Sequence, residues 1–233
     1  MLTFVVEGKT VEALEFYAAA KSHVINSGFS YEIEWQNSRS LESLCESQFL
    51  KEAGWVVLSS GMRTSTIAAL FPRFSEAFLH WSSANEIVKS KDECKRRALA
   101  AFGHHGKINA IIFIAEFVQE LGFPKFKGEL SESPVPFLQQ FPFLGPATSL
   151  HLAKNLGVNV SKPDRHLVRI ATAFGCSCSG DVCDTLSYLT GDKTSVVDVV
   201  LWRYATLVAD YEKRITTQLV SSGDDCQNWF CKS

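Results

Sequence analysis

The chain has 233 residues, 46% of them hydrophobic and 21% charged, with a formal net charge of −2. This is the balance of an ordinary soluble globular protein, long enough for one domain or two closely joined subdomains with a real core. It also counts against a non-specific nucleic-acid coat protein, though not against a local basic face.

The start, MLTFVVEGKT, has a short apolar run before Glu7 and no basic region ahead of it. Neither a signal peptide nor a membrane span is expected, so the expected location is cytoplasmic. Val11, Leu14, Ala18 and Ile25 form a helical stripe that Asn26 and Gly28 stop. GFSYEIEWQNSRS, with Phe29, Tyr31 and Trp35, reads as irregular. Helical periodicity returns over 41–58, with Gly54 as its weak point. Short helices are expected over 64–71 and 75–81, on either side of Pro72.

Lys89, Lys91, Lys95, Arg96, Arg97 and Lys107 offer a basic face crossed by Asp92 and Glu93, which as a charge run reads first as solvated helix surface. The most apolar helix is expected over 107–121, and KFKGELSESPVP reads as a connector. A short helix over 136–141 then meets the turn Pro142-Phe143-Leu144-Gly145. TSVVDVVLWRYATLVAD reads as a long apolar helix and SSGDDCQNWFCKS as a loose tail. With no alternating strand pattern and no internal repeat, the expected fold class is all-α.

Seven scattered cysteines, an odd number, point to reduced thiols. Cys176, Cys178 and Cys183 cluster, but without paired Cys-x-x-Cys spacing neither they nor Cys226 and Cys231 read as a metal site.

The stretch FPFLGPATSLHLAKNLGVNVSKPDRHLVRIA, 141–171, carries the chemistry. Pro146 stands at the first position of a helix, where its missing N–H costs nothing. The free amides of the turn and of that helix's first residues make a phosphate site assisted by the helix dipole, and Thr148 and Ser149 can add hydroxyls. On its own this element is equally a plain helical hairpin. Asp164, in Lys-Pro-Asp ahead of Leu167, Val168 and Ala171, has the pattern of an N-cap. A carboxylate held there can also stabilise an oxocarbenium-like sugar or orient a water against C1′, as in glycoside hydrolysis.

Hairpin and aspartate together resemble the helix-hairpin-helix DNA glycosylase superfamily, the endonuclease III and AlkA-like enzymes. The family pattern is a Leu-Pro-Gly-x-Gly hairpin followed by an Asp just before an Arg-bearing helix. Here Phe141-Pro142-Phe143-Leu144-Gly145-Pro146-Ala147-Thr148 is followed by Asp164, nineteen residues after Gly145, and then by Arg169. GWVVLSSGMRTSTIAALFP, HGKINAIIFIAEFV and VVDVVLWRYA resemble the family's flanking helices, so the resemblance covers roughly residues 45 to 210.

There are departures. Phe143 replaces the hairpin's first glycine, and Gly61 falls where many members place a Gln that fills the gap left by a flipped base. Ala147 stands where bifunctional members carry a Schiff-base lysine, and the tail lacks the four-cysteine iron–sulfur spacing.

The resemblance implies two helical subdomains with a helix-hairpin-helix motif and a cleft between them. Residues 45–157 would form a helical barrel ending in the hairpin, and 1–44 plus 158–233 a second subdomain carrying Asp164. It implies a monofunctional DNA glycosylase, acting as a monomer on double-stranded DNA with a damaged or modified base, and needing no cofactor beyond a possible monovalent cation at the hairpin carbonyls; the atypical Gly61 and Phe143 point to an unusual or bulky base, as in foreign DNA. The expected DNA contacts are Phe143, Gly145, Ala147, Thr148, Ser149, Arg63 and Arg165. Trp35, Trp55 and Trp202 are candidate surfaces for an extruded base, or else core aromatics. Asp198, amid Val196, Val197, Val199 and Val200, needs either a base edge to read or a partner such as Arg203 or a helix end. The alternatives are a DNA-binding protein without catalysis, and a glycosylase/lyase using Lys154 or Lys162.

Overall fold

The computed structural model describes residues 10–215, so the N-terminal start and the tail with Cys226 and Cys231 lie outside the described residues. Among the described residues every regular element is helical, with thirteen α-helices and no strand. The fold is all-α. The chain divides into two compact units, Arg39–Val158 and the pair Met1–Ser38 with Asn159–Ser233.

In the discontinuous unit, α1 (Thr10–Val24) runs through one π-turn into α2 (Ser30–Ser38). α11 (Arg165–Ala173), α12 (Ser179–Thr190) and α13 (Thr194–Leu207) complete it. The core gathers around α13, whose Val196, Val197, Val200, Leu201 and Tyr204 join Phe16, Tyr17, Ala20 and Val24 of α1 with Leu167 and Ile170 of α11. Phe16 meets Phe174 and Tyr204 edge-on at 5.7 and 5.4 Å. Each aliphatic or aromatic side chain buried in this way contributes about 1.5–3 kcal/mol, which is why α13 can carry one buried carboxylate.

Two expectations fail in this unit. The buried stripe of α1 is Ala13, Phe16, Tyr17, Ala20 and Val24, while Leu14 and Ile25 are exposed. The aromatic pair, being larger, sets the phase. The segment expected to be irregular is mostly α2: Gly28 takes a left-handed φ of 84° and bends the chain without ending the helical course.

In the continuous unit, α3 (Glu46–Ser59) starts five residues later than the periodicity indicates, because 41–45 form a turn. α4 (Thr64–Ala77) passes straight through Pro72. One helical hydrogen bond is lost there, and burial of Ile67 before it and of Phe74 and Ala77 after it outweighs the loss. α5 (Ala84–Lys89), α6 (Lys91–Ala101) and α7 (His105–Leu121) follow. α7 is the spine, burying Ile108, Ile111, Ile114, Ala115 and Val118.

The expected connector is largely α8 (Phe123–Glu132), opened by Pro124 and held by buried Phe126 and Leu130. α9 (Pro134–Gln139) and α10 (Pro146–Asn155) end the unit. Gly54 of α3 is there for close approach, since a Cβ would stand 2.5 Å from Cη2 of buried Trp81. Trp81 is itself stacked between Phe71 and Phe78.

Candidate functional site

One candidate, in the continuous unit, is the turn between α9 and α10. Phe141 and Leu144 are buried anchors, and the Leu144 amide donates to the Phe141 carbonyl at 3.1 Å. Phe143, between them, has φ of 67°, a left-handed conformation that costs a non-glycine residue about 1–2 kcal/mol. Its ring lies against the start of α7, edge-on to His104 at 5.8 Å. A Cβ on Gly106 would come within 3.2 Å of the Phe143 Cζ, so Gly106 makes room for the ring.

Gly145 is the N-cap of α10 and Pro146 its first residue. The first hydrogen-bonded amide of the helix is that of Ser149, which donates to the Gly145 carbonyl at 2.9 Å. The amides of Gly145, Ala147 and Thr148 donate to nothing among the described residues, and all three residues lie at the surface or partly exposed. They are an anion-binding set of the kind helix starts provide.

The hydroxyls do not point outward. Thr148 Oγ1 donates to the carbonyls of Phe143 and Gly145 at 2.9 and 3.2 Å. Ser149 is fully buried, donating to the Pro146 carbonyl and accepting from Gln139, and so drops out of the expected DNA contacts. Because the Phe143 and Gly145 carbonyls already take the Thr148 hydroxyl and that of Phe141 takes an amide, the turn closes on itself.

Nearby in the same unit, Lys107 is buried and its Nζ donates to the carbonyls of Leu58 and Ser60, both at 2.6 Å. Burial pushes its pKa down, while the two carbonyls hold the ammonium in place. This closes the end of α3 just ahead of Gly61, whose φ is 67° and which, like Arg63, is exposed. The basic face is largely spent. Lys91 pairs with Glu116, and Arg96 and Arg97 both pair with Glu93. Lys91, Lys95, Asn109, Phe113, Gly106 and Pro142 line an open groove of about 610 Å³ beside the turn.

A separate candidate, in the discontinuous unit, is the head of α11. Asp164 is its N-cap, with extended backbone, and Oδ1 alone takes both cap bonds: from the His166 amide at 2.8 Å and the Leu167 amide at 3.0 Å. Oδ2 accepts nothing among the described residues, and the side chain is half-buried. Around it lie exposed Arg165 and half-buried His166, whose Nδ1 is 3.1 Å from the Tyr211 hydroxyl. Burial pushes the His166 pKa down against the pull of Asp164, and burial likewise pushes Tyr211 up. Arg169 reaches Glu212 at 3.4 Å in an exposed pair that contributes little. In the sequence only the place of His166, two residues after Asp164, signals its part here, and Tyr211 lies too far along the chain to show one.

Asp198 is withdrawn from solvent. It is 2% exposed, and its Oδ2 accepts the Lys162 amide at 2.6 Å. It therefore drops out as a reader of a base edge. Arg203 forms a two-point pair with Glu32, and its guanidinium lies 4.3 Å from the Phe29 ring and 4.7 Å from the Trp202 ring. One face of Trp202 is thus covered. Trp55 packs edge-on against Phe71 at 5.1 Å, and Trp35 is partly exposed on α2.

No protein-family model, curated protein or solved structure matches the chain. Among the described residues no group of three or more His, Cys, Asp or Glu is placed to hold a metal ion, and no helix is long and apolar enough to cross a membrane.

Proposed function

We propose that the chain is a monofunctional DNA glycosylase of the helix-hairpin-helix class, which hydrolyses the N-glycosidic bond of a modified base flipped out of duplex DNA. The observation that carries the reading is the division of labour within the Asp164 carboxylate. Oδ1 satisfies the head of α11, while Oδ2 is left over. Fixed at a helix start by two amides, the group is preorganised and needs no reorientation when charge develops nearby.

As the bond from C1′ to the base nitrogen breaks, the base leaves with the electron pair and takes up a proton. Positive charge gathers on the sugar, and Oδ2 stabilises it. Water then bonds to C1′ and gives up a proton, for which the carboxylate is the acceptor at hand. The free amides of Gly145, Ala147 and Thr148 would hold a backbone phosphate without reading sequence. Ala147 supplies no amine, so the product is an abasic site in an intact strand.

One observation favours a second reading. Both cap bonds are made, so Asp164 can serve α11 without chemistry, in a DNA-binding protein that lacks catalysis. Of the lysines considered for a lyase, Lys154 is 8% exposed, whereas Lys162 stands two residues before Asp164. Excision measured on Asp164→Asn, with borohydride trapping on the unaltered protein, separates the three. Loss of excision without a trapped adduct supports the proposal, retained excision leaves a cap, and an adduct points to a lyase.

A further inference from the structure

Asp198 sits inside α13 between valines, 2% exposed. Desolvating a carboxylate there costs several kcal/mol unless its oxygens are satisfied, so the helix core is an expensive place to keep one. Among its interactions is a bond to backbone, from the Lys162 amide, 36 residues away in sequence, at 2.6 Å. A bond this short to a side-chain carboxyl oxygen is a strong one.

Lys162 is two residues ahead of Asp164. Pro163, between them, has no N–H and a fixed φ. The Asp164 amide turns back onto the Lys162 carbonyl at 2.8 Å. Further upstream, the Ser195 amide of α13 donates to the Asn159 side chain at 3.2 Å. Residues 159–164 are thus tied to α13 at two points, and the second tie lies two residues before Asp164. An N-cap needs only its own two amides, so this extra anchorage serves the placement of the carboxylate.

We infer that Asp198 is a positioning residue, holding Lys162 and Pro163 from within α13 so that the Asp164 carboxylate stands in one place. The inference rests on Asp164 being the catalytic anion. It predicts that loosening the tie lowers the rate of the chemical step and leaves DNA binding alone, because a displacement of about 1 Å at a reacting group can cost on the order of a hundredfold.

The test uses the full chain with Asp198→Ala and Asp198→Asn, each alone and combined with Asp164→Asn. Single-turnover excision is read on duplexes carrying uracil, hypoxanthine, ethenoadenine or an alkylated purine, and affinity on a duplex with a tetrahydrofuran abasic analogue. Asp198→Ala should excise about thirtyfold or more slowly, with affinity within about twofold. Asp198→Asn keeps an oxygen for the Lys162 amide and should recover most of the rate. In the Asp164→Asn background, Asp198→Ala should add no further loss, as for two groups acting through one.

Amide exchange supplies a readout free of activity, in which Lys162 should be protected in the unaltered protein and lose protection in Asp198→Ala. Should Asp198→Ala not fold, Asp198→Ser serves, since its hydroxyl can turn to the Thr194 carbonyl one helical turn back. Excision by Asp198→Ala at the unaltered rate, or an affinity loss equal to the rate loss, overturns the inference. So does a Lys162 amide that exchanges equally fast in both proteins. Full excision by Asp164→Asn would instead remove the catalytic reading itself, and exchange would still decide the tie.

Discussion

Replacing Asp164 with asparagine separates cap from catalyst, because the geometry gives the two roles different atoms. The cap needs an oxygen at the position of Oδ1, facing the His166 and Leu167 amides at 2.8 and 3.0 Å. The asparagine side-chain carbonyl supplies that oxygen, and Asn and Asp rank together as N-caps. Stability should therefore change by only a few tenths of a kcal/mol. Asp164→Ala, which removes both bonds, sets the scale of real cap loss at about 1 kcal/mol, or about 2–4 °C in Tm for a chain of this size. The asparagine amide cannot present a negative oxygen where Oδ2 now stands, so excision should fall by about a hundredfold or more, as when one stabiliser of a developing charge is removed. DNA binding should persist or tighten, since a negative charge has been removed from the face proposed to meet DNA. Thermal melting, a mobility shift and single-turnover excision on one preparation decide the matter. A variant that melts as early as Asp164→Ala while excising normally per folded molecule would refute the reasoning and leave Asp164 as a cap.

Gly145→Val should reduce affinity alike for duplexes of unrelated sequence. It should cost the free protein only about 1 kcal/mol or less, because a Cβ at Gly145 meets nothing within 4 Å. A loss confined to one sequence, seen by titration, would contradict the phosphate grip. Gly54→Ala should lower Tm despite alanine's better helix propensity. The clash with Trp81 costs about 1–3 kcal/mol against about 1 kcal/mol gained, so a higher Tm would mean the tryptophan can move aside. Burial lowers the His166 pKa, so the unfolded chain binds more protons, and this residue's contribution is intact above its ordinary value of about 6.5 and lost as pH falls below it. His166→Gln should accordingly flatten the decline of Tm between about pH 7 and 5, and an unchanged slope would assign that decline elsewhere.

Local chemistry was legible in the residues, and distant partnership was not. Pro146 as first residue of α10 and Asp164 as cap of α11 both depend on neighbours within a single turn, and both stand where the sequence puts them. The phase of α1 escaped because Leu14 and Ile25 have the hydropathy of core residues, while the decision lay with Phe16 and Tyr17 packing on α13 and α12. α2 and α8 escaped because each is fastened by few buried side chains on a polar background: Gln36 in one, Phe126 and Leu130 in the other. Asp198 announced that it needed a partner, but an amide 36 residues away leaves no mark on local pattern. Ser149 reads as a surface hydroxyl until its bonds to Pro146 and Gln139 turn it inward.

The central claim is hydrolytic base excision without strand cleavage. Duplexes labelled on one strand and carrying a panel of altered bases are incubated with the protein, and each reaction is split between neutral loading and hot alkali, with a third portion treated with borohydride. At least one altered base should yield strand breaks only after alkali, borohydride should trap no protein–DNA adduct, and Asp164→Asn should cut the alkali-dependent breaks by about a hundredfold or more. Breaks under neutral conditions together with a trapped adduct, or no breaks from any altered base after alkali, would contradict the claim.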